Sequence, residues 1–404
     1  MTQRTDILIV GGGLVGASLA LALDAAGRRA TLLEAAPART VTAASGDDND
    51  RNLVLARASV NALKALRVWP QLEAAAGTIR RVEVSRAGEF GKLRMTAADA
   101  GVDALGRVVP GHVLGAALER QLAACRHIER LAPAKLLALT SADAGWDARI
   151  AAGDGERVIE ARLVVGADGS DSLVRAQAGI GVQQHDYGQS LFVCTVACGH
   201  DIPDCAFERF SDEGPVALLP LPNQRRGLVL TVTAGRHDEV AAMDDAAFIA
   251  LAQQRFGWKL GRLSRPGKRF AHRIRRVLAD AVAAPRAVLV GNAAQTVHPI
   301  GAQGFNLGLR DALTLAELVA GTDDPGTSAL LNEYAARRQP DRDGVLAFSH
   351  GLIALGCLPQ PSLAPLRSLA MLALDGIPPL RHAVARRGMG FRGEPPMAAL
   401  DAGP

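Results

Sequence analysis

Short apolar runs separated by glycine turns open the chain and predict alternating strands and helices. Residues 6–10 have the pattern of a buried strand, 14–26 that of an apolar helix, and 30–34 that of a second strand. Strand, helix and strand in this order form a unit whose strands lie parallel in one sheet. Similar short runs recur at 163–165 and 287–290, each followed by glycine. The pattern therefore predicts a parallel sheet assembled from separated parts of the chain.

Apolar and polar residues alternate in two intervening stretches, 79–96 and 189–232, and this alternation indicates antiparallel strands. We therefore predict an α/β fold with a Rossmann-like dinucleotide-binding domain, an inserted antiparallel-sheet substrate domain and a C-terminal helical tail. The predicted boundaries are 1–75, 108–182 and 267–340 for the discontinuous nucleotide-binding domain, 76–107 and 183–266 for the substrate domain, and 341–404 for the helical C-terminal region.

Composition favours a globular enzyme and argues against several other classes. The net charge is only +4 without a dominant basic stripe, so no nucleic-acid partner is expected. The five cysteines lack paired spacing, which argues against disulfide bonds and predicts a reducing cytoplasm. The sequence contains no histidine cluster, so a metal site is not expected. No signal peptide is visible, and prolines interrupt the apolar stretch 344–366. We expect a cytoplasmic protein whose apolar, arginine-tipped tail makes at most peripheral contact with the inner face of the membrane.

A glycine motif of the form G-x-G-x-x-G follows the first predicted strand. It consists of Gly11, Gly13 and Gly16, with Leu14 and Val15 before the last glycine. Gly11 permits a tight turn, Gly13 lets a pyrophosphate approach the backbone, and Gly16 allows close packing of helix and strand. The helix N-terminus offers free N–H groups to the phosphates, and Glu34 is placed to accept hydrogen bonds from a ribose diol. The motif predicts a dinucleotide site without distinguishing NAD from FAD.

Two later motifs also follow predicted strands. The first is GADGS, which contains Asp168 and Gly169, and the second is GNAAQTVHPIGAQGFNLGLRD over residues 291–311. Together with the N-terminal glycines, they resemble the three signatures of the FAD-dependent aromatic monooxygenases related to p-hydroxybenzoate hydroxylase. The second motif is most similar to the ubiquinone-biosynthesis hydroxylases, above all to the 2-polyprenyl-6-methoxyphenol hydroxylase branch. Most relatives have Asp and His where this chain has Asn292 and Gln295.

The resemblance implies which residues contact FAD. Asn292 would reach the flavin ribityl chain, Asp168 and Gly169 would contact the cofactor, and Arg51 would reach it from the far side. The backbone N–H groups of Gly304, Phe305 and Asn306 would form a helix N-terminus beneath the flavin pyrimidine and stabilise negative charge there. The candidates for the flavin face are Pro299, Gly301 and Gln303. No side chain stands out as an acid–base catalyst, and His298 is interpreted as structural.

The same resemblance implies hydroxylation of a polyprenylated phenol in ubiquinone biosynthesis. NAD(P)H would reduce FAD as a transient co-substrate, O2 would add at flavin C4a, and the hydroperoxide would give one oxygen atom to the ring. Other ubiquinone-biosynthesis proteins are the implied protein partners. Two alternatives stay open at this point. One is an FAD-dependent reductase of isoprenoid double bonds, and the other is a non-catalytic flavin-binding assembly subunit, which Asn292 in place of Asp keeps under consideration.

Overall fold

Three sheets and ten α-helices form the part of the chain that this computed structural model describes, residues 3–37, 52–153, 155–357 and 361–400. The strands are β1 (Gln3–Val10), β2 (Ala30–Leu33), β3 (Asn52–Ala56), β4 (Gly77–Ile79), β5 (Arg81–Arg86), β6 (Lys92–Thr96), β7 (Gly106–Pro110), β8 (Ile128–Leu131), β9 (Ala134–Ala142), β10 (Gly145–Ala152), β11 (Gly155–Gly166), β12 (Val182–Cys198), β13 (Cys205–Phe210), β14 (Val216–Pro220), β15 (Arg225–Thr233), β16 (Leu263–Ser264), β17 (Phe270–Ala279), β18 (Ala283–Ala284), β19 (Ala287–Leu289) and β20 (Gln295–Thr296). The helices are α1 (Leu14–Ala25), α2 (Arg57–Ala65), α3 (Gly111–Leu122), α4 (Leu173–Gln177), α5 (His237–Ala242), α6 (Asp245–Phe256), α7 (Gln303–Ala320), α8 (Ser328–Cys357), α9 (Ala364–Gly376) and α10 (Pro378–Gly388).

The first sheet contains the predicted parallel core. Strand β1 lies parallel to β2 on one side and to β11 on the other, and β8 and β19 extend the sheet outward. Ile7, Leu8 and Ile9 of β1 are almost completely buried, as expected of a parallel strand covered on both faces. Helix α1 packs against α7 and α3. Segments far apart in sequence therefore meet at the carboxyl ends of β1 and β11.

The second sheet is mainly antiparallel and combines strands from both predicted insertions. Strand β12 pairs with β15 and β17, while β5 from the first insertion pairs with β13 from the second. Strand β17 pairs with β12 from Phe270 opposite Val193 to Ala279 opposite Val182. The predicted boundary at 267 assigned this segment to the nucleotide-binding domain, but its pairing assigns it to the second sheet. Its alternation of exposed arginines with buried residues suits a strand that exposes one face.

A small third sheet and the C-terminal helices complete the fold. The third sheet has the order β3-β7-β4. Helix α8 packs against α7, whereas α9 and α10 pack against each other and against β6 of the second sheet. The predicted helical C-terminal region is therefore present, and it lies against the antiparallel sheet. Within the described ranges, no helix combines the length and apolar character needed to cross a membrane.

Candidate active site

The turn between β1 and α1 requires glycine at two of its positions. Gly11 has φ +105°, and a Cβ there would lie 2.5 Å from the carbonyl oxygen of Ala167 at the end of β11. A Cβ on Gly16 would lie 1.9 Å from the carbonyl oxygen of Gly11. At Gly13, by contrast, the Cβ position has no atom of the described chain within 4 Å. The turn is tightly packed on its inner side and open at the position predicted for the pyrophosphate.

The N-termini of α1 and α7 both keep backbone N–H groups available to a ligand. In the described part of the chain, no side chain caps either helix, and neither has an acidic residue in its first turn. The first turn of α7 contains Gly304, Phe305 and Asn306, and the Cβ position of Gly304 also faces open space. Uncapped first-turn N–H groups at the positive end of a helix dipole attract negative charge. Both helix starts can therefore bind anionic parts of a nucleotide.

The side chain of Asn306 joins the start of α7 to strand β3. Its Oδ1 accepts a hydrogen bond from the backbone N–H of Ala56 at 2.9 Å. Its Nδ2 donates to the carbonyl oxygens of Val54 at 2.8 Å and Ala302 at 2.7 Å. The sequence pattern predicted a role only for the backbone N–H of Asn306. The side chain has a structural role that the pattern did not indicate, because it fixes the start of α7 to strand β3.

The structure brings the three predicted FAD segments together. A Cβ on Gly308 of α7 would lie 2.8 Å from Val15 Cγ2 and 2.9 Å from the Cα of Gly291. A Cβ on Gly11 would lie 3.0 Å from the Cα of Asp168. The N-terminal turn, the GADGS segment and the segment that begins at Gly291 therefore form one packed unit.

Two predicted acidic residues lie at this unit, and the backbone binds both carboxylates. Glu34 Oε2 accepts a hydrogen bond from the N–H of Gly12 at 2.8 Å, which places the carboxylate beside the glycine turn. Asp168 Oδ2 accepts from the N–H of Leu173 at 2.8 Å and of Val174 at 3.1 Å, so this carboxylate binds the first turn of α4. Its predicted contact with the cofactor stays a prediction. The predicted contact of Arg51 falls outside the described residues.

Asn292 and Gln295 differ in their environments. The side chain of Asn292 is exposed at the turn after β19, where it can reach a ligand. Gln295 is buried, and its Nε2 donates to Asp311 Oδ2 at 2.7 Å. The same Asp311 oxygen accepts from the backbone N–H of Gly291 at 3.1 Å. The buried amide therefore holds the turn that presents Asn292.

A buried ionic network extends this support into α8. Arg338 Nε donates to Asp311 Oδ1 at 2.7 Å, and a second Arg338 nitrogen donates to Asp341 at 2.7 Å. Arg310 also donates to Asp341, at 2.6 and 3.1 Å. Burial alone would raise the pKa of Asp341, but the charges of Arg310 and Arg338 hold this pKa below its ordinary value. These paired charges connect α7 to α8 beneath the predicted cofactor segment.

The loop before α7 has an unusual backbone and a neutral histidine. Gly301 and Ala302 have φ +66° and +50°, and a left-handed conformation is strained for alanine. His298 Nδ1 accepts from the N–H of Ile300 at 3.1 Å, so Nε2 donates to Gln189 Oε1 at 3.1 Å. Burial lowers the pKa of His298 to about 4. These contacts favour the structural interpretation of His298 over a role as a base.

The predicted flavin-face residues lie along an apolar cavity of about 200 Å³. Pro299, Gly301 and Gln303 form part of one wall, and the second sheet, β3 and the C-terminal helices form the others. Gln303 Nε2 donates to the carbonyl oxygen of Gly301 at 2.9 Å, whereas its buried Oε1 has no hydrogen-bond partner among the described residues. A second apolar cavity of about 180 Å³ adjoins the first. The two share Val84, Leu93, Phe348, Leu352 and Val384.

Glu208 is the one acidic residue among the described residues that line the larger cavity, and the sequence analysis missed it. It lies on β13 between Ala206 and Phe210, which share its face of the strand. Burial raises the pKa of Glu208 to about 7. The sequence does contain a signal for Glu208, since it stands between two apolar residues on the same face of a strand. It was missed because the face of β13 that points inward was not assigned.

The residues present fit a bound FAD. Open space lies at Gly13 and Gly304, two helix N-termini are uncapped, and the buried Oε1 of Gln303 lacks a partner in the described ranges. The positive N-terminal end of a helix dipole stabilises a pyrophosphate and the electron-rich part of the flavin ring. The cavity lies beside the loop that leads into α7. A flavin and an apolar ring could therefore bind next to each other.

Comparison with known proteins agrees with this geometry. Residues 4–349 match the family model described as "FAD binding domain". The chain is 35% identical to the ubiquinone hydroxylase UbiL of Rhodospirillum rubrum, over 95% of this chain and 89% of that protein. It is 32% identical to the 3-demethoxyubiquinol 3-hydroxylase of Escherichia coli, over 96% of this chain and 99% of that protein.

Solved structures show the same fold at lower sequence identity. The p-nitrophenol 4-monooxygenase PnpA of Pseudomonas putida superposes with a TM-score of 0.79 at 17% identity, covering 98% of this chain and 100% of that one. The flavin-dependent monooxygenase PieE, solved with FAD and substrate, superposes with a TM-score of 0.72 at 18% identity. The match covers 96% of this chain and 72% of that one. The predicted fold class is confirmed. The chain belongs to the FAD-binding family of aromatic monooxygenases that includes the ubiquinone-biosynthesis hydroxylases.

Proposed function

We propose that this flavoprotein hydroxylates a phenol bearing a polyprenyl tail, a precursor of ubiquinone, with NAD(P)H as the transient reductant and O2 as the oxygen source. The apolar cavity beside the flavin-site loop, continued by a second apolar cavity, is the observation that carries the proposal. The names of two relatives, a ubiquinone hydroxylase and a 3-demethoxyubiquinol 3-hydroxylase, support the substrate class.

Bound FAD would accept electrons from NAD(P)H and activate dioxygen, which is chemistry that side chains do not supply. The chain's own residues would hold and orient the reactants. N–H groups at the start of α1 would bind the pyrophosphate, in the space left open at Gly13. The uncapped start of α7, held by Asn306, would face the electron-rich part of the flavin ring. Asn292, exposed beside these segments, would contact the ribityl chain.

The two cavities would divide the substrate between them. The ring would lie in the larger cavity beside Pro299 and Gly301, where the apolar walls exclude the water that competes with oxygen transfer. The polyprenyl chain would extend into the second cavity, among Phe348, Met371 and Leu374 of the C-terminal helices. Burial of an apolar tail contributes roughly 25 cal/mol per Å², so these walls favour substrates with a tail.

A transient reductant fits the single dinucleotide fingerprint of the sequence. NAD(P)H would bind only transiently and supply the electrons that bound FAD accepts. Comparing the rates of FAD reduction by NADH and NADPH under anaerobic conditions identifies the preferred nucleotide. The predicted association with other ubiquinone-biosynthesis proteins also stays a prediction.

An exposed apolar face on α9 supports peripheral contact with a membrane that contains the lipid substrate. Leu366 and Leu369 are 64% and 58% exposed, and their spacing places them on one side of the helix. The opposite side of α9 includes Met371, which lines the second cavity. Arg386 and Arg387 of α10 are exposed and complement anionic headgroups.

Vesicle co-sedimentation tests this contact. We expect the protein to bind vesicles of phosphatidylcholine with phosphatidylglycerol, and Leu366→Gln with Leu369→Gln to reduce the bound fraction severalfold. The control is Trp258→Gln, because Trp258 is also exposed but lies after α6. Equal binding by all three proteins would contradict the membrane proposal.

A deletion strain tests the substrate proposal and separates it from the alternatives. We expect the strain to accumulate a polyprenylated phenol that lacks one ring oxygen, and the intact gene to restore ubiquinone. A normal ubiquinone content would contradict the proposal. Turnover of an isoprenoid double bond by the purified protein without O2 would favour the reductase, and FAD binding without any turnover would favour the assembly subunit.

A further inference from the structure

We propose that Glu208 is the proton acceptor for the hydroxyl group of the phenolic substrate in the larger cavity. This inference rests on the proposed function, because it assumes that a phenol ring occupies this cavity. It assigns a chemical role to a residue that the cofactor motifs do not include.

The position of Glu208 places its carboxylate in a mainly apolar enclosure. It is paired across the sheet with Val84 on β5 and with Ala217 on β14, and both of these residues also line the cavity. The loop with Pro299 and Gly301 forms part of the same lining. A ring bound beside that loop would share the enclosure with the carboxylate.

The carboxylate of Glu208 has no hydrogen bond or ion pair with any residue in the described ranges. The Glu208 side chain is partly exposed in the wall of the cavity, so its carboxylate can be reached from there, and a carboxylate in a mainly apolar lining without a partner is costly. A substrate hydroxyl would supply the missing donor. A hydrogen bond to a charged group contributes about 1.5–3 kcal/mol, which corresponds to roughly tenfold to hundredfold in affinity.

The charged groups around Glu208 either lie on another face of the sheet or pair with other residues. On the same strand, Arg209 lies on the other face, near Gly257 after α6. On the neighbouring strand β5, Glu83 pairs with Lys259. Strand β14 carries no titratable side chain.

Arg86 shares the inward face of β5 but pairs with Glu89 and Asp212, and Arg367 of α9 pairs with the same Glu89. Across the cavity, His298 is neutral above about pH 4, because burial lowers its pKa to that value. No cation in the described lining therefore compensates the charge of Glu208. Burial raises the pKa of Glu208 to about 7, which matches a general base that works near neutral pH.

The proton transfer is balanced within the substrate–carboxylate pair. The O–H bond of the phenol breaks, its electron pair stays on the phenol oxygen, and the proton forms a new O–H bond with a Glu208 oxygen. The ring becomes more electron-rich and reacts more readily with an electrophilic oxygen. The carboxyl group returns the proton to the hydroxyl when the product leaves, so no external acid or base is consumed.

Binding to the oxidised FAD-loaded protein, without reductant, provides a readout that is independent of turnover. The probes are 2-farnesylphenol and its methyl ether, measured by isothermal titration calorimetry at pH 8. We expect the protein to prefer the phenol by at least tenfold. Glu208→Leu should reduce the preference to about one, and Glu208→Gln should give an intermediate value because its amide oxygen still accepts a hydrogen bond.

The pH dependence of kcat/KM gives the second readout. We expect an acid limb near the pKa of Glu208 in the parent protein and its loss in Glu208→Gln, with kcat lowered at least tenfold. Glu83→Gln is the matched control, because Glu83 lies on the adjacent strand and pairs with Lys259 away from the cavity. The control should keep both the phenol preference and the acid limb.

Two outcomes separate the failure of this inference from the failure of the proposed function. If the parent protein hydroxylates the phenol, but Glu208→Gln keeps the acid limb and the phenol preference, the role of Glu208 is refuted and the proposed function stands. If the parent protein neither binds nor oxidises either probe, the proposed function fails, and this inference fails with it.

Discussion

Gly308 of α7 packs directly against Val15 of α1, because a Cβ on Gly308 would lie only 2.8 Å from Val15 Cγ2. The same position lies 2.9 Å from the Cα of Gly291. The absence of a side chain at Gly308 therefore lets α7 pack closely against both α1 and the segment that begins at Gly291. The proposed FAD site depends on this close approach.

Replacing Gly308 with alanine should separate the two helices. We expect the variant to be destabilised by about 1–3 kcal/mol, as for other overpacked cores, despite the better helix propensity of alanine. It should also bind FAD at least tenfold more weakly. Urea unfolding and fluorescence titration with FAD measure the two effects.

The matched control is Gly115→Ala in α3. A Cβ there would make only an ordinary contact, 3.9 Å from Leu14 Cδ2. This variant should be as stable as the parent or slightly more stable, with unchanged FAD affinity. If both alanine variants behave alike, the close contact of α1 and α7 does not form the cofactor site.

Gly13→Ala separates cofactor binding from folding. Gly13 has φ −63°, which alanine adopts readily, and its Cβ position faces open space. We expect the apoprotein to keep its stability within about 0.5 kcal/mol and its FAD affinity to fall at least tenfold, because the added methyl group occupies the space for the pyrophosphate. Unchanged FAD affinity would show that the pyrophosphate does not bind at this turn.

The buried charges beneath the predicted cofactor segment should be sensitive to neutralisation. Asp341→Asn leaves Arg310 and Arg338 without their shared carboxylate, and breaking such a buried pair costs about 3–5 kcal/mol. Asp343→Asn, two residues later on the exposed side of α8, should cost less than about 1 kcal/mol. Thermal unfolding at pH 7.5 compares the two, and equal costs would refute the structural role of the network.

Glu208→Gln should make the protein more stable, and the gain should depend on pH. Burial raises the folded-state pKa of Glu208 from 4.5 to about 7, so ionisation favours the unfolded chain. The gain should be near zero below pH 4.5, grow as the pH rises to 7, and reach on the order of 3 kcal/mol above it. Glu333→Gln on the exposed face of α8 is the control and should show no such trend. A gain independent of pH would contradict the raised pKa.

Much of the fold, including the turns that carry the predicted cofactor segments, could be predicted from local sequence. Helix α1 was predicted at 14–26 and lies at Leu14–Ala25, because its apolar run begins directly after the glycine turn. The start of α7 near Gly304 was likewise indicated by the glycine turn before it. Such signals depend only on neighbouring residues and therefore remain visible in one sequence.

The substrate side was less predictable, because it depends on contacts between distant segments. Strand β17 was assigned to the wrong sheet, since the alternation of its residues indicates a strand but not its partner. Glu208 becomes recognisable only when β13 lies between β5 and β14 and its side chain faces a cavity. The bonds of Asn306 to Val54 and Ala56 join residues about 250 positions apart.

Oxygen-isotope labelling tests whether the protein transfers an atom of dioxygen to a phenol ring. The purified protein with FAD, NADPH and 2-farnesylphenol would react under 18O2 in unlabelled water, and mass spectrometry would analyse the product. We expect each hydroxylated ring to carry one 18O atom. In the converse experiment, with labelled water and unlabelled O2, we expect the ring to carry none. A ring oxygen derived from water, or NADPH oxidation that yields only hydrogen peroxide with unchanged phenol, would contradict the proposed function.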